Sequence, residues 1–163
     1  MRRRGVRSVS VMKYIMENWR RFTEEEAKNP RQFSSFVVFI NPEEKILILK
    51  RQNNTGMRFP GLWSFAGGGG EEGEEPEAAA TREALEETGI TINKMEHVHT
   101  KNDGPGDVHF FKCLDFAGEV QKDKVLDEHD DFRWINPNEL DQYHTAPEVE
   151  QVARKAFGTN VVL

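Results

Sequence analysis

Cysteine is almost absent from this sequence, since Cys113 is the single one among 163 residues. One cysteine excludes an internal disulfide framework and a zinc site built from several thiolates, and it indicates a reducing compartment. No apolar run approaches the roughly 20 residues that a membrane-spanning helix needs. The sequence therefore predicts one soluble, cytoplasmic domain of ordinary size with no membrane partner.

Excess positive charge is also lacking, because 22 Lys and Arg face 28 Asp and Glu and the net charge is −6. Four arginines, Arg2, Arg3, Arg4 and Arg7, precede the first acidic residue, Glu17. Without them, 18 basic residues remain against 28 acidic ones, about −10. A domain with this much negative charge binds nucleic acid poorly, and no specific nucleic acid is therefore expected as a partner. If the protein binds phosphates, it is expected to do so through metal ions. The basic start is interpreted as a solvated arm, with an organelle-targeting segment as the less favoured alternative.

The apolar pattern divides the chain into residues 1–32, a basic arm with an amphipathic helix, and residues 33–163, the main domain. Between residues 8 and 29, Val11, Ile15 and Trp19 recur at helical spacing with charged residues between them. This extra N-terminal helix is expected to pack on the main domain or on a second copy of the chain. The second arrangement would make the protein a homodimer.

The main domain alternates β-type runs with helical ones. A helix is predicted from Pro76 to Thr88, because Pro76 suits a first turn, the alanines favour helix and Gly89 suits the C-terminal cap. The two β-type runs on either side of residues 41–44 are expected to form a hairpin. The order of elements predicts an α/β fold, a mixed sheet covered by helices on its faces. The predicted strands are residues 36–40, 46–50, 94–100, 108–116 and 132–135, and residues 147–157 are predicted to form a closing helix.

Three glutamates of the predicted helix fall on one face. Glu83, Glu86 and Glu87 lie within an arc of about 100°, because spacings of three and four residues meet on the same side of a helix. Taken alone, the three glutamates favour a solvated acidic face. Four glycines, residues 67–70, precede the helix, and such a loop allows close backbone approach to a ligand. Carboxylate and carbonyl oxygens together suit magnesium or manganese, and these ions suit phosphate chemistry.

The stretch from Gly68 to Ile90, GGGEEGEEPEAAATREALEETGI, resembles the signature of the Nudix hydrolase family. The resemblance implies a Nudix-type α/β/α sandwich and a hydrolase that cleaves the pyrophosphate bond of a nucleoside diphosphate linked to another moiety. One departure is Ala66, which stands where family members often have proline. The residues in register with the signature are Gly68, Glu74, Arg82, Glu83, Glu86, Glu87, Gly89 and Ile90.

The resemblance also implies roles for the residues that match. The three glutamates of the helix face would bind Mg²⁺, with Mn²⁺ as an alternative, and the carbonyl of Gly67 would join them. Arg82 would orient the glutamates, Glu74 would brace the loop, and Gly68 and Gly89 would be structural. Many relatives supply a further acid before the last strand, for which Glu128 is the first choice and Asp131 the second. Either Glu83 or Glu128 would be the general base.

The group attached to the diphosphate is less well defined by the sequence. Phe59 and Trp63 precede the glycines and either stack on a base or are buried. Arg51 and Arg58 either meet phosphates or a base edge, or lie on the surface. The short chain without an added β-domain favours a nucleoside triphosphate, including damaged ones, as the small-molecule substrate. ADP-ribose or another nucleotide sugar is the alternative, and a nucleotide-sensing domain without turnover or a diphosphate isomerase is less favoured.

Overall fold

The computed structural model describes residues 33–53, 59–102, 104 and 106–158. The predicted N-terminal helix and Arg58 lie outside these residues. Seven strands, three α-helices and one short 3₁₀ helix make up the described part. No helix within it is long and apolar enough to cross a membrane. In chain order the elements are β1 (Phe33–Phe39), β2 (Ile46–Arg51), β3 (Trp63–Ser64), β4 (Ala66–Gly69), α1 (Pro76–Thr88), β5 (Thr91–Lys101), β6 (Asp107–Ala117), α2 (Lys122–Glu128), β7 (His129–Ile135), the 3₁₀ helix (Pro137–Gln142) and α3 (Val149–Phe157).

The strands form two sheets. The larger one has the order β4-β1-β6-β5, in which β1 and β6 are parallel and the other pairs are antiparallel. The smaller one has the order β3-β2-β7 and is antiparallel throughout. The predicted α/β class and mixed sheet are therefore confirmed, and β6 is a central strand as its apolar residues predict.

The expected hairpin between β1 and β2 exists only at its turn. The Asn41 side chain accepts hydrogen bonds from the backbone N–H groups of Glu43 and Lys45, which closes the turn. Beyond the single bridge between Ile40 and Ile46, the two strands separate into different sheets. The prediction of a hairpin was wrong because each strand finds its partners far away in sequence, β1 in β6 and β2 in β7.

Two apolar cores lie on opposite sides of the sheets. Successive side chains of a strand point to opposite faces, and in β2 all four residues from Ile46 to Leu49 are fully buried. Ile46 and Ile48 join the core under α3, whereas Leu47 and Leu49 join the core under α1. Helices thus cover both sides of the strands, which is the predicted α/β/α layering.

Helix α1 has the predicted bounds. Pro76 begins it, and Gly89 ends it in the left-handed conformation with φ 81°, donating its N–H to the Leu85 carbonyl. Ala80 and Ala84 are fully buried against the sheet, and such small side chains allow the helix to approach it closely. Glu87 is buried on this same side of the helix, whereas Glu86 is exposed. The short α2 and the 3₁₀ helix were not predicted, because each buries a single apolar side chain and has no periodic pattern.

Candidate active site

A partly buried hydrogen bond joins strand β4 to helix α1. The backbone N–H of Gly67 donates to Oε2 of Glu87 over 2.9 Å, and Glu87 is only 6% exposed. Burial raises the pKa of the Glu87 carboxyl well above its ordinary range, an effect that the Gly67 N–H opposes in part and the charges of Glu83 and Glu128 increase. Glu87 is therefore a buried acid fixed at the base of the site.

Arg82 connects the loop before α1 to the glutamates of the helix. Its Nε and Nη2 donate to the two carboxylate oxygens of Glu74 over 2.9 and 3.0 Å, and Nη2 also donates to the Gly69 carbonyl. Its Nη1 reaches Glu83 over 3.0 Å and Glu86 over 3.3 Å. The guanidinium lowers the pKa of Glu74 to about 2. Arg82 thus contacts Glu74, Glu83 and Glu86, and the resemblance implies that it orients the glutamates.

Glu83 lies against Gly68. Burial raises the pKa of its carboxyl, the hydrogen bond from Arg82 opposes this, and the charges of Glu86 and Glu128 add to it. A Cβ atom on Gly68 would stand 2.8 Å from the carboxyl carbon of Glu83. The absence of a side chain at Gly68 therefore leaves room for this carboxylate. Glu86, by contrast, is exposed, with 59% of its side chain accessible.

The segment before β7 offers the two acids that the sequence singles out. Glu128 ends α2, and its charge raises the pKa of both Glu83 and Glu87, so it lies close to the helix glutamates. Asp131 instead accepts the N–H of Phe132 and pairs with Arg133 over 3.1 Å. Of the two, Glu128 is the acid whose charge acts on the glutamates of the helix.

A family model described as NUDIX domain matches residues 30–156. The chain belongs to the Nudix family. It is a Nudix hydrolase, a pyrophosphohydrolase that acts on phosphorus-containing anhydrides, and this family generally uses divalent ions such as Mg²⁺. Residues 68–90 are its Nudix box.

Similar proteins include the nucleoside triphosphatase NudI of Escherichia coli O139:H28, which is 30% identical over 128 residues, 69% of this chain and 88% of NudI. Among solved structures, the MutT NUDIX hydrolase from Burkholderia pseudomallei is 21% identical with a TM-score of 0.66, over 76% of this chain and 96% of that one. The NUDIX domain of Shewanella oneidensis NrtR, solved with ADP ribose, is 19% identical with a TM-score of 0.60, over 82% of this chain and 96% of that one. The last two establish the fold.

The acids of the Nudix box fit a divalent cation by their chemistry. Within the described ranges, no three His, Cys, Asp or Glu side chains have their ligand atoms gathered as in a finished metal site. The carboxylates do not converge because each already has a hydrogen-bond partner. Glu83 and Glu86 accept from Arg82, and Glu87 accepts from Gly67. All the donors are oxygens, as Mg²⁺ and Mn²⁺ prefer. Burial raises the pKa values of Glu83 and Glu87 and repulsion between the acids adds to the effect, and a cation would offset the repulsion.

A pocket opens beside the Nudix box and includes two of the predicted substrate residues. Arg51 and Phe59 line it, whereas Trp63 packs its ring edge-on against Tyr143 with 5.2 Å between centroids. Two charged lining residues, Lys101 and Glu148, had not been predicted, and no motif marks them. They lie 47 positions apart on β5 and before α3, so only the fold brings them together.

His129, next to Glu128, is a third residue that the sequence did not single out. It is buried, and burial together with the charge of Arg51 lowers its pKa to about 4. The ring is therefore neutral at physiological pH. The register of β2 and β7 places His129 opposite Arg51, so a neutral ring lies beside that guanidinium.

Proposed function

We propose that this Nudix hydrolase is metal-dependent and cleaves the pyrophosphate bond of nucleoside triphosphates. The observation that carries the proposal is the arrangement of Glu83 and Glu87 on one helix, held by Arg82 and by Gly67, next to a pocket with an aromatic wall. The similarity to a nucleoside triphosphatase over 88% of that protein's length supports the choice of substrate.

In this proposal Glu83, Glu86 and Glu87, with the Gly67 carbonyl, hold Mg²⁺ or Mn²⁺. When bound, the cation neutralises phosphate oxygens and lowers the pKa of an attacking water. The protein's own contribution is to fix the acids in advance. Gly67 holds Glu87 and Arg82 holds Glu83, so neither carboxylate has to be ordered during the reaction.

The proton of the attacking water passes to a carboxylate oxygen. Glu128 is our choice of general base, because its charge acts on both Glu83 and Glu87 but no hydrogen bond in the described part engages its side chain. Glu83 is the alternative. The water oxygen forms a bond to phosphorus as the bond to the bridging oxygen breaks, and the bridging oxygen leaves with the other fragment. The products are a nucleoside monophosphate with pyrophosphate, or phosphate with a nucleoside diphosphate.

ADP-ribose is the second candidate substrate, and the ADP-ribose complex of the NrtR domain is the observation in its favour. Both substrates carry a diphosphate next to a nucleoside, so the acids of the Nudix box serve either one. They differ in what lies beyond the diphosphate, a phosphate in one and a sugar in the other.

A substrate panel with Mg²⁺ tests the proposal. The purified full chain is incubated in ¹⁸O-labelled water with canonical and oxidised nucleoside triphosphates, ADP-ribose, nucleotide sugars, dinucleoside polyphosphates, NADH and CoA, and products are identified by mass spectrometry. We expect nucleoside triphosphates to be cleaved fastest, with the label marking the phosphorus attacked. Cleavage of ADP-ribose alone would replace the first candidate by the second, and a folded protein that cleaves nothing would overturn both.

A further inference from the structure

The pocket beside the Nudix box has an unusual backbone at two of its lining residues. Three non-glycine residues of the described part have positive φ, namely Glu44, Phe59 and Glu148. Two of them, Phe59 and Glu148, line this pocket. Left-handed backbone at such residues costs free energy and clusters at ligand sites, where the surrounding structure holds it in place. Glu44 lies in the turn after β1, where this conformation has a local reason.

Glu148 is held at the pocket by two neighbours on β5. Its Oε1 pairs with Nζ of Lys101 over 3.2 Å, and its Oε2 lies 3.4 Å from Nε2 of His99. The φ of 77° at Glu148 sets its direction just before α3 begins. The side chain remains 21% accessible, so it meets both the pocket and solvent. Lys101 lines the pocket as well, and the pocket wall therefore carries a carboxylate and an ammonium group side by side.

The pocket adjoins the acids that act on the phosphates. Phe36 lines the pocket, and its partner across the β1–β4 ladder is Gly67, whose N–H holds Glu87. Arg51 also lines the pocket, stands 5.9 Å from the Phe36 ring centre, and has a charge that acts on Glu87. A nucleotide whose phosphates lie at the acids therefore has this pocket within reach of its base. Phe36, Phe59 and Phe110 supply aromatic surface for stacking.

We propose that this pocket binds the nucleobase and that Glu148 and Lys101 are specificity-determining residues that select guanine. The proposal rests on the proposed nucleoside triphosphate hydrolysis and deepens it by naming the base. Guanine offers N–H donors at N1 and N2 next to the O6 acceptor. The carboxylate of Glu148 accepts from the two donors, and the Lys101 ammonium donates to O6. Both are charge-assisted hydrogen bonds.

The other bases match this pair of groups less well. Adenine has one amino donor beside ring acceptors and places that donor where Lys101 would donate. Uracil offers a single N–H between two carbonyls, and cytosine has one amino donor followed by two acceptors. Hypoxanthine keeps N1–H and O6 but lacks the amino group at N2. Inosine triphosphate therefore isolates the contribution of one hydrogen bond to Glu148.

Turnover of GTP, ITP, ATP, CTP and UTP by the full chain tests the selection. We expect kcat/KM to be at least about tenfold higher for GTP than for ATP, CTP or UTP, with ITP between, because a missing donor leaves the carboxylate unsatisfied. Glu148→Gln should reduce the GTP-over-ATP ratio of kcat/KM at least about tenfold, because the amide no longer accepts both guanine donors as the carboxylate does. Glu150→Gln is the matched control, since Glu150 lies on the first turn of α3 and pairs with Arg154 outside this pocket.

Two further measurements separate recognition from structure. Glu148→Gly suits a φ of 77° and should fold with an unchanged or higher Tm, yet lose the preference for guanine. Calorimetric binding of GMP, IMP and AMP without metal reports on the pocket when no phosphate is cleaved. If no nucleoside triphosphate is hydrolysed but GMP binds best and needs Glu148, the proposed function fails and this inference stands. Equal affinity for the three monophosphates, preference for another base, or an equal loss for every nucleotide in Glu148→Gln would overturn it.

Discussion

Arg82 is the residue on which the arrangement of the acids depends. One guanidinium contacts Glu74, Glu83 and Glu86 and the Gly69 carbonyl, so it ties the glycine loop to the helix. An arginine side chain suits this role because its planar donors satisfy several oxygens at fixed angles. The same contacts lower the mutual repulsion of the acids while no cation is bound.

A substitution at Glu86 is expected to change catalysis without changing the stability of the fold. Its side chain is exposed and its ion pair with Arg82 is a surface one, so its loss should change the free energy of unfolding by less than about 1 kcal/mol. We expect Glu86→Gln to reduce kcat at least about a hundredfold, because it removes one of the charged ligands proposed for the metal. Steady-state kinetics and a thermal melt measure the two effects. Glu77→Gln, on the same helix outside the glutamate face, is the matched control, and wild-type turnover in Glu86→Gln would refute the metal assignment.

The interaction of Glu74 with Arg82 should make the free energy of unfolding depend on pH. Arg82 lowers its pKa from 4.5 to about 2, so between these values the unfolded chain binds the proton and the folded one does not. Its stabilisation is therefore complete above about pH 4.5 and is lost as the pH falls towards 2.

The difference in unfolding free energy between wild type and Glu74→Gln should be constant from pH 6 to 8 and shrink below about pH 4.5. Urea denaturation at a series of pH values measures it. Glu71→Gln is the control, since the Glu71 carboxylate is exposed and 4.0 Å from Arg82. A difference that does not change with pH would show that Arg82 does not hold Glu74 ionised.

At the scale of elements, the first glycines of the Nudix box form a strand rather than a loop. Gly67 pairs with Phe36 of β1, and its φ is 154°. A Cβ there would stand 2.1 Å from the Ser35 carbonyl oxygen, a backbone atom that cannot turn away. Strand β1 therefore leaves room only for glycine at position 67. The hydrogen bond from the Gly67 N–H to Glu87 depends on this close approach of the two strands.

Gly67→Ala should lower the free energy of unfolding by about 2–5 kcal/mol, from the clash and the strained backbone together. Gly73→Ala is a suitable control, because Gly73 also has positive φ, 80°, but no atom lies within 4 Å of a Cβ there. Gly73→Ala should lower the free energy of unfolding by about 1–2 kcal/mol. Chemical denaturation compares the two variants, and equal losses would show that β4 tolerates a side chain at Gly67.

The elements also show what the sequence can predict. Helix α1 was predictable residue by residue, because its proline, alanines and terminal glycine act locally. The separation of β1 and β2 was not, because the parallel partner of β1 is β6, more than 60 residues away. The acids of the box were found by their spacing on one helix. Lys101 and Glu148 have no such spacing, since their meeting depends on how β5 and α3 pack.

At the scale of the whole molecule, both sheets, the three helices and all the acids of the site lie within residues 33–158. The family match begins at residue 30, close to the proposed boundary between residues 1–32 and the main domain. The sequence of the first segment has an apolar helical face, and such a face needs a surface to cover it. The main domain or a second copy of the chain can supply one.

We therefore expect deletion of residues 1–30 to leave kcat/KM for the best substrate within about threefold of the full chain. The Tm or the oligomeric state should change instead, because the surface that the apolar face covers becomes exposed to water. Sedimentation equilibrium, a thermal melt and steady-state kinetics on both proteins measure the three quantities. A truncated protein that stays folded but loses activity would make residues 1–30 part of the active site, and one unchanged in every respect would make them a solvated arm.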